Sequence, residues 1–147
     1  MSSIFRTSNF NGDISNWNTS NVTSMLGMFN NARTFNQELN FDTSNVTSMI
    51  SMFSYARSFN QPLNFDTSSI TNMEYMFCNA EAFKDKYNIG KSLPYCTNEI
   101  KEWLNNNSER MNEIDIKDKY GEEVDDFFKN IYSNKNRLKE IEWEKMI

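Results

Sequence analysis

The chain has 147 residues, which suits one domain or one array of repeats with a terminal cap. Its apolar fraction of 38% and its 12 phenylalanines are enough for a packed core, so intrinsic disorder is not expected. Histidine is absent, which removes the commonest general base and the commonest metal ligand. The net charge of −5 comes without a basic patch, which disfavours direct contact with nucleic acid.

The sequence carries no signal for export or for membrane insertion. Residues 1–5 lack the basic start and apolar run of a signal peptide, and no stretch approaches the length of a transmembrane helix. We therefore expect a cytoplasmic protein, of a bacterium or of a virus-infected cell, with no membrane partner. An extracellular surface location is expected only if the chain is a fragment of a longer one.

The sequence repeats itself with a step of 24 residues. The block at 18–25, Asn-Thr-Ser-Asn-Val-Thr-Ser-Met, recurs at 42–49 with Asp in place of the first Asn. It recurs again at 66–73, with more changes among its polar residues and with Ile in place of Val. Several blocks in one register are the signature of a repeat architecture, in which each unit must stack on its neighbours to bury its apolar face. A Met-Phe-x-x-Ala block keeps the same step at Met28–Ala32, Met52–Ala56 and Met76–Ala80.

Each segment of the unit has a structural prediction. Leu39, Asn40 and Phe41 alternate apolar, polar and apolar, which is typical of a short strand. Asp42 begins a turn, and residues 50–56 are expected to form a single helical turn. We therefore predict an α/β repeat solenoid over residues 1–90, like a leucine-rich repeat, with a short parallel sheet on one side and short helical turns on the other.

The repeat stops after residue 90, and residues 91–147 are predicted to form an α-helical C-terminal cap. A helix from Thr97 would carry Ile100, Trp103, Leu104 and Met111 on one face, and further helical patterns surround Phe127 and Leu138. These apolar stripes need a surface, and the last edge of a sheet needs cover. The start of the chain shows no comparable cap, so its edge is expected to meet a second chain or further repeats.

The repeat motif resembles that of a known family. The pattern Met-Phe-x-x-Ala-x-x-Phe-Asn-Gln followed by Thr-Ser-Asn-Val-Thr-x-Met, over about residues 4–90, is similar to the BspA-like leucine-rich repeats. The resemblance implies a right-handed solenoid with a sheet that faces its ligand, and a role in adhesion or protein binding.

Two surfaces are candidates for binding a partner. The first is the outward, concave face of the predicted sheet, whose side chains are short and polar. The second is the side of the helical turns, where Tyr and Arg are residue types common at binding hot spots. The predicted residues of the first surface are Glu38, Asn40, Asn64, Lys86 and Asn88, and those of the second are Arg33, Arg57, Tyr55 and Tyr75.

A column of turn residues and an acidic run offer two further candidates. Asn18, Asp42 and Asp66 occupy the same position of successive repeats, where they are expected to bond their own turns rather than to form a calcium ladder. An acidic run near the C-terminus is interpreted as a solvated helix start, or else as a patch for a basic partner. That run consists of Glu122, Glu123, Asp125 and Asp126.

No nucleophile–base pair, phosphate loop or metal cluster is visible, so we expect no catalytic residue, metal or cofactor. The favoured function is a non-catalytic protein-binding module, in its specific form an intracellular inhibitor of a nucleic-acid-handling or defence enzyme, from a virus or mobile element. One alternative is a fragment of a bacterial surface adhesin. The other is an enzyme whose site lies near Cys78, Cys96, Tyr87 and Glu99. A protein partner is expected, and so is self-association through the uncapped N-terminal edge.

Overall fold

The computed structural model describes residues 1–89 and 95–121 of the chain. The chain divides into two compact units, Met1–Ser108 and Glu109–Ile147, and the first unit holds the repeats. The predicted boundary at residues 90 and 91, the helical patterns around Phe127 and Leu138, and the acidic run all lie outside the described residues.

Two helices are present in the described residues. Helix α1 spans Glu81–Lys86, with Glu81 in the first turn and Lys84 and Lys86 in the last, as the helix dipole favours. Helix α2 spans Thr97–Tyr120, which confirms the helix predicted from Thr97. Its residues Ile100 and Leu104 are buried, as their helical spacing predicted. Helix α1 was not predicted, because its residues fall within the solenoid predicted over residues 1–90.

The predicted parallel sheet is wrong, and with it the α/β solenoid. Over residues 1–89 and 95–121 there is no strand, and the β pairing is limited to two isolated parallel bridges, Ser24 with Ser48 and Ser48 with Asn72. The alternation at residues 39–41 does bury Leu39 and Phe41 and expose Asn40. It reflects an extended segment lying over a core, which needs a period of two whether or not it is bonded into a ladder.

The predicted helical turns are also absent. Residues 50–56 form consecutive tight turns, because Ser51 and Tyr55 both adopt left-handed backbone conformations, which a right-handed helix cannot include. The same pair of positions is left-handed in every repeat, with φ between 54° and 60°. We call residues 3–7, 27–31, 51–55 and 75–79 the turn ribbon. The left-handed residues that open and close its four segments are Ser3 and Thr7, Gly27 and Asn31, Ser51 and Tyr55, and Tyr75 and Asn79.

Successive repeats stack as coils, each coil being one 24-residue winding of the chain. In the turn ribbon, the amides of Gly27, Phe29 and Asn31 donate to carbonyls of the next coil at 2.8–2.9 Å. The amides between them close turns within their own coil, as Asn30 N–H does to the Gly27 carbonyl. Backbone hydrogen bonds between these turns therefore join the repeats. The sequence had predicted helical turns in these segments, which would not pair with the next coil in this way.

The core consists of two adjoining columns of phenylalanine rings. Rings within one coil lie 4.3–4.6 Å apart between centroids, and rings in successive coils lie 5.4–6.3 Å apart, nearly parallel in every case. Offset stacking of this kind is favourable beyond the area that it buries. One column contains Phe5, Phe29, Phe53 and Phe77, and the other contains Phe10, Phe35, Phe59 and Phe83.

Residues outside the repeat close the C-terminal end of the stack. In earlier coils the amide of Met49 donates to the next coil, but the equivalent amide of Met73 donates to Thr97 Oγ1 at 2.8 Å. The Thr67 hydroxyl, whose equivalents bond a carbonyl of the next coil, bonds Asn105 Oδ1 at 3.0 Å. Side chains of α2 thus replace the partners that a further coil would supply.

Part of a further coil precedes the first full repeat. Residues 1–8 form a partial coil in the register of the repeats, with the Ser3 and Phe5 amides donating to the Leu26 and Met28 carbonyls at 2.8 and 3.0 Å. Phe5 starts one column of rings in consequence. This part-coil carries the ribbon and the ring but lacks the Met-Phe-x-x-Ala pattern, which is why the sequence did not reveal it.

Candidate binding surfaces

The five predicted residues of the first surface do not share one register. Asn40 and Asn64 are exposed at equivalent positions of successive coils, and Glu38 is exposed beside Asn40. Lys86 is half-buried at the end of α1, and Asn88 follows that helix in a left-handed conformation with φ 55°. These side chains therefore do not form the continuous polar face that was predicted.

The second surface brings exposed tyrosines onto the turn ribbon. The Tyr55 and Tyr75 side chains are 43% and 53% exposed, while Phe53 and Met76 on the same segments are fully buried behind them. The ribbon pairs the two segments directly, because Tyr55 N–H donates to the Cys78 carbonyl at 2.8 Å. The tyrosines thus lie on neighbouring coils of one hydrogen-bonded surface.

A third tyrosine, which sequence reasoning missed, extends this surface. The ring of Tyr95 lies 5.4 Å from that of Tyr75, and its carbonyl accepts the Tyr75 amide at 3.2 Å. Lys84 Nζ lies 5.9 Å from the Tyr95 ring centroid, within reach of a cation–π contact. Tyr95 lies outside the repeat, so no periodic signal could have identified it.

Both ribbon tyrosines adopt a strained backbone. Tyr55 and Tyr75 have φ of 59°, a region in which a bulky residue is uncommon. Glycine is the residue suited to this conformation, and Gly27 occupies the position equivalent to Tyr75 two coils earlier. A left-handed non-glycine residue costs about 1–3 kcal/mol and is found preferentially at functional sites.

Arginines lie near the ribbon on the same coils. Arg33 and Arg57 occupy equivalent positions of successive coils, two residues beyond the ribbon segments, and both are exposed. Arg33 Nε donates to Asn31 Oδ1 at 3.3 Å, so this guanidinium is held beside the ribbon. The predicted residues of the second surface are therefore all accessible to solvent.

The column of Asn18, Asp42 and Asp66 closes turns, as predicted. Asp42 Oδ1 accepts the Ser44 amide at 3.0 Å and its hydroxyl at 2.6 Å, and Asn18 bonds Ser20 in the same way. The Ser44 hydroxyl and amide lower the pKa of Asp42, and Ser68 lowers the pKa of Asp66 in the same manner. In the described part of the chain, no group of three His, Cys, Asp or Glu side chains could hold a metal ion.

The Asn-Gln blocks bond the stack internally. Asn36 Oδ1 accepts the amide of Asn60 at 2.9 Å, and Gln61 Nε2 bonds the Asn36 carbonyl at 3.2 Å. Where the next coil has no Gln, the buried Tyr87 hydroxyl donates to the Asn60 carbonyl at 2.6 Å. These polar side chains are committed to the stack.

The four residues named for the enzyme alternative differ in their exposure to solvent. Cys78 is a half-buried free thiol, Cys96 is an exposed free thiol, and Glu99 is exposed. Tyr87 is buried and its hydroxyl is used within the stack. A cysteine-containing active site stays a hypothesis.

Comparison with known proteins places the repeats in a family. The family described as "Mycoplasma protein of unknown function, DUF285" matches residues 1–92. The chain belongs to this family. No curated protein and no solved structure matches the chain significantly. None of the helices in the described residues is long and apolar enough to cross a membrane. The match to this family of unknown function covers the stacked coils.

Proposed function

We propose that the chain is a non-catalytic protein-binding module whose binding face is the turn ribbon around Tyr55 and Tyr75. The observation that carries this proposal is the combination of exposure and strain at these two tyrosines. Glycine or a small polar residue fills the equivalent left-handed positions of the other coils, so the two aromatic side chains call for a role outside the core.

The rigidity of the ribbon supports this role. Phe53 and Met52 lie fully buried beneath it, and backbone hydrogen bonds tie the Tyr55 segment to the next coil. A surface that is already ordered loses little conformational entropy on binding, so more of the contact energy appears as affinity. Tyrosine and arginine are also residue types enriched at binding hot spots, and Arg57 lies two residues from Tyr55.

The proposal extends to the type of the repeat and to the kind of partner. We propose that the DUF285 repeats are of the BspA-like type, because of the motif they share. The acidity of the chain and its lack of histidine favour the role of an inhibitor of a nucleic-acid-handling or defence enzyme, which would present a basic surface. A fragment of a surface adhesin is the competing role, and the same ribbon would then face a host protein.

Site-specific photo-crosslinking tests the binding face. A photoreactive phenylalanine analogue is placed at Tyr75 in one chain and at Asn64 in another, and each is irradiated in an extract of the source organism. We expect one partner to be linked through position 75 and not through position 64. Linkage of that partner through position 64 alone would contradict the ribbon proposal and favour the polar surface.

Tyr75→Gly provides the matched functional variant. Removing the side chain abolishes the anchor, and glycine accepts the left-handed backbone, so we expect binding to fall by about tenfold or more without loss of thermal stability. The purified partner is titrated against both chains by calorimetry. Unchanged affinity in the glycine variant would exclude Tyr75 as an anchor.

A further inference from the structure

Two arginines on successive coils project from the stack beside the turn ribbon. Arg33 and Arg57 occupy equivalent positions of their coils, and both are exposed. The two coils are bonded at this point, because the Ser58 hydroxyl donates to the Arg33 carbonyl at 2.6 Å. Equivalent phenylalanine rings of these two coils lie 5.4–6.0 Å apart between centroids. The two guanidinium groups therefore leave the stack side by side.

Neither guanidinium is neutralised within the described chain. No described residue forms an ion pair with Arg33 or Arg57. The cation–π contacts among the described residues are made by Lys84 and Lys86, so the two arginines do not stack on a ring there. Arg33 Nε donates to Asn31 Oδ1 at 3.3 Å, which leaves its two terminal nitrogens without a described acceptor. Both side chains thus keep donors that a ligand can use.

The stack itself does not require arginine at this position. Asn9 and Glu81 occupy it in the neighbouring coils, and both of those coils carry the same columns of rings. Two positive side chains on adjacent coils repel each other, as like charges on neighbouring strands do. The planar guanidinium matches the two oxygens of a carboxylate or phosphate with two parallel hydrogen bonds. A pair of them that costs the fold repulsion is suited to an anionic ligand.

Tyr55 connects the arginine pair to the proposed binding face. It occupies the position equivalent to Asn31, two residues before Arg57, and its side chain is 43% exposed. We propose that Arg33 and Arg57 bind the carboxylates of an acidic segment on the protein partner, and that Tyr55 packs against the same segment. The inference rests on the proposed function, since the ribbon supplies the neighbouring contact.

Charge decides between the two kinds of anion. A nucleic acid is charged along its whole length, and a chain with a net charge of −5 repels it outside this one pair. A short acidic segment needs only the local positive charge of the two arginines, and it can belong to a partner whose surface is basic elsewhere. Carboxylates are therefore favoured over a phosphate backbone.

Titration of the intact chain with a glutamate hexapeptide tests the pair. The side-chain resonances of the arginines are followed by NMR, because a bound carboxylate bonds the guanidinium N–H groups directly. We expect the resonances of Arg33 and Arg57 to shift together and to saturate. Arg6 and Arg110 are exposed but are not paired on successive coils, and their resonances should shift less. A glutamine hexapeptide is the neutral control and should shift none of them.

Three variants separate a paired site from general attraction. Arg33→Gln and Arg57→Gln should each weaken binding of the hexapeptide by roughly tenfold, since one set of charge-assisted hydrogen bonds is lost. Both side chains are exposed, so melting curves should match that of the intact chain. Arg6→Gln is the matched control and should leave binding unchanged. An equal loss in Arg6→Gln, or equal shifts at all the arginines followed, would overturn the site.

Inorganic phosphate identifies the anion. Tighter binding of phosphate than of the hexapeptide at the same two arginines would overturn the acidic segment in favour of a phosphorylated ligand. No saturable binding of either would show that the pair holds no anion. The arginine site and the tyrosine face can fail separately. Binding of the hexapeptide with no partner linked through position 75 would support the arginines and contradict the tyrosines. A linked partner whose affinity is unchanged by Arg57→Gln would do the reverse.

Discussion

The two ends of the phenylalanine stack are built from the same repeat and yet differ in how they are finished. At the C-terminal end, Phe83 is fully buried and meets the edges of the Tyr87 and Trp103 rings. At the N-terminal end, Phe5 and Phe10 keep one ring face without a described neighbour in the column. Repeats therefore specify stacking but not termination, which depends on side chains outside the repeat.

The closed end also satisfies its backbone. The amide of the buried Met73 and the hydroxyl of the buried Thr67 both find side-chain partners on α2. Leaving such groups unbonded in an apolar interior would cost about 1–3 kcal/mol each. At the N-terminal end the backbone groups without a described partner belong to exposed residues such as Ser2 and Thr23, and water can bond them at little cost. This difference allows the two edges to coexist in one molecule.

The largest effect is expected from removing a ring in the middle of the stack. Phe53 is fully buried between Phe29 and Phe77, so Phe53→Ala should lower the free energy of unfolding by about 3–5 kcal/mol. Phe5→Ala removes a half-buried ring with one described neighbour in its column, and should cost about half as much or less. Chemical denaturation of both variants measures the difference. Equal losses would contradict an open N-terminal end.

The next effect concerns the hydroxyl that closes the C-terminal end. Thr97→Val keeps the shape of the side chain but leaves the Met73 amide without its acceptor, and should destabilise the chain by about 1–3 kcal/mol. Thr23→Val at the open end is the matched control and should be nearly neutral, since no described residue bonds its hydroxyl. Chemical denaturation of both variants measures the two free energies of unfolding. A larger loss of stability for Thr23→Val than for Thr97→Val would contradict the assignment of the C-terminal end as the closed one.

A smaller loss is expected from Tyr87→Phe. The Tyr87 hydroxyl donates to the Asn60 carbonyl at 2.6 Å where the repeat lacks its glutamine, so its removal should cost about 1 kcal/mol. The exposed Tyr55 provides the control, because its side chain lies in solvent and Tyr55→Phe should leave stability unchanged. Thermal unfolding distinguishes the two variants, and similar melting curves would show that Tyr87 does not substitute for the glutamine.

The smallest expected effect is on the pKa values of the aspartates that bond serines in local turns along the stack. Ser15, Ser44 and Ser68 bond Asp13, Asp42 and Asp66, and lower the pKa of each carboxyl below 3.8. A depressed pKa in the folded state means that the stabilisation is present above the unfolded pKa, and is lost as the pH falls through the folded one. Carboxyl titration by NMR should show Ser68→Ala raising the pKa of Asp66 while Asp13 stays unchanged. A change at Asp13 would mean that these turns are not local.

The sequence predicted the period and the core but not the backbone geometry. Leu39, Phe41, Met52 and Phe53 are buried as expected, because apolar residues at fixed positions must face a common interior. The sheet was wrong because alternating burial is shared by any extended segment over a core. The left-handed residues were not foreseen, since Ser51 and Tyr55 are not residue types that signal such turns.

The candidate site was predicted in part for the same reason. Tyr55 and Tyr75 were named from residue type and are exposed as a binding role requires, but their placement on paired turns follows from bonds between coils. Tyr95 was missed because its contact with Tyr75 joins residues that are unrelated by the repeat. The roles of Thr97 and Asn105 likewise depend on tertiary contacts with the last coil.

Native-state hydrogen exchange at four amides of the intact chain tests the difference between the two ends most directly. The amides of Met25 and Met49 donate to the following coil, and that of Met73 donates to Thr97. We predict that all three exchange slowly, through opening of the stack, and that the Thr23 amide at the open edge exchanges fast. Fast exchange at Met73, or protection of Thr23 equal to that of Met25, would contradict a stack closed at one end and open at the other.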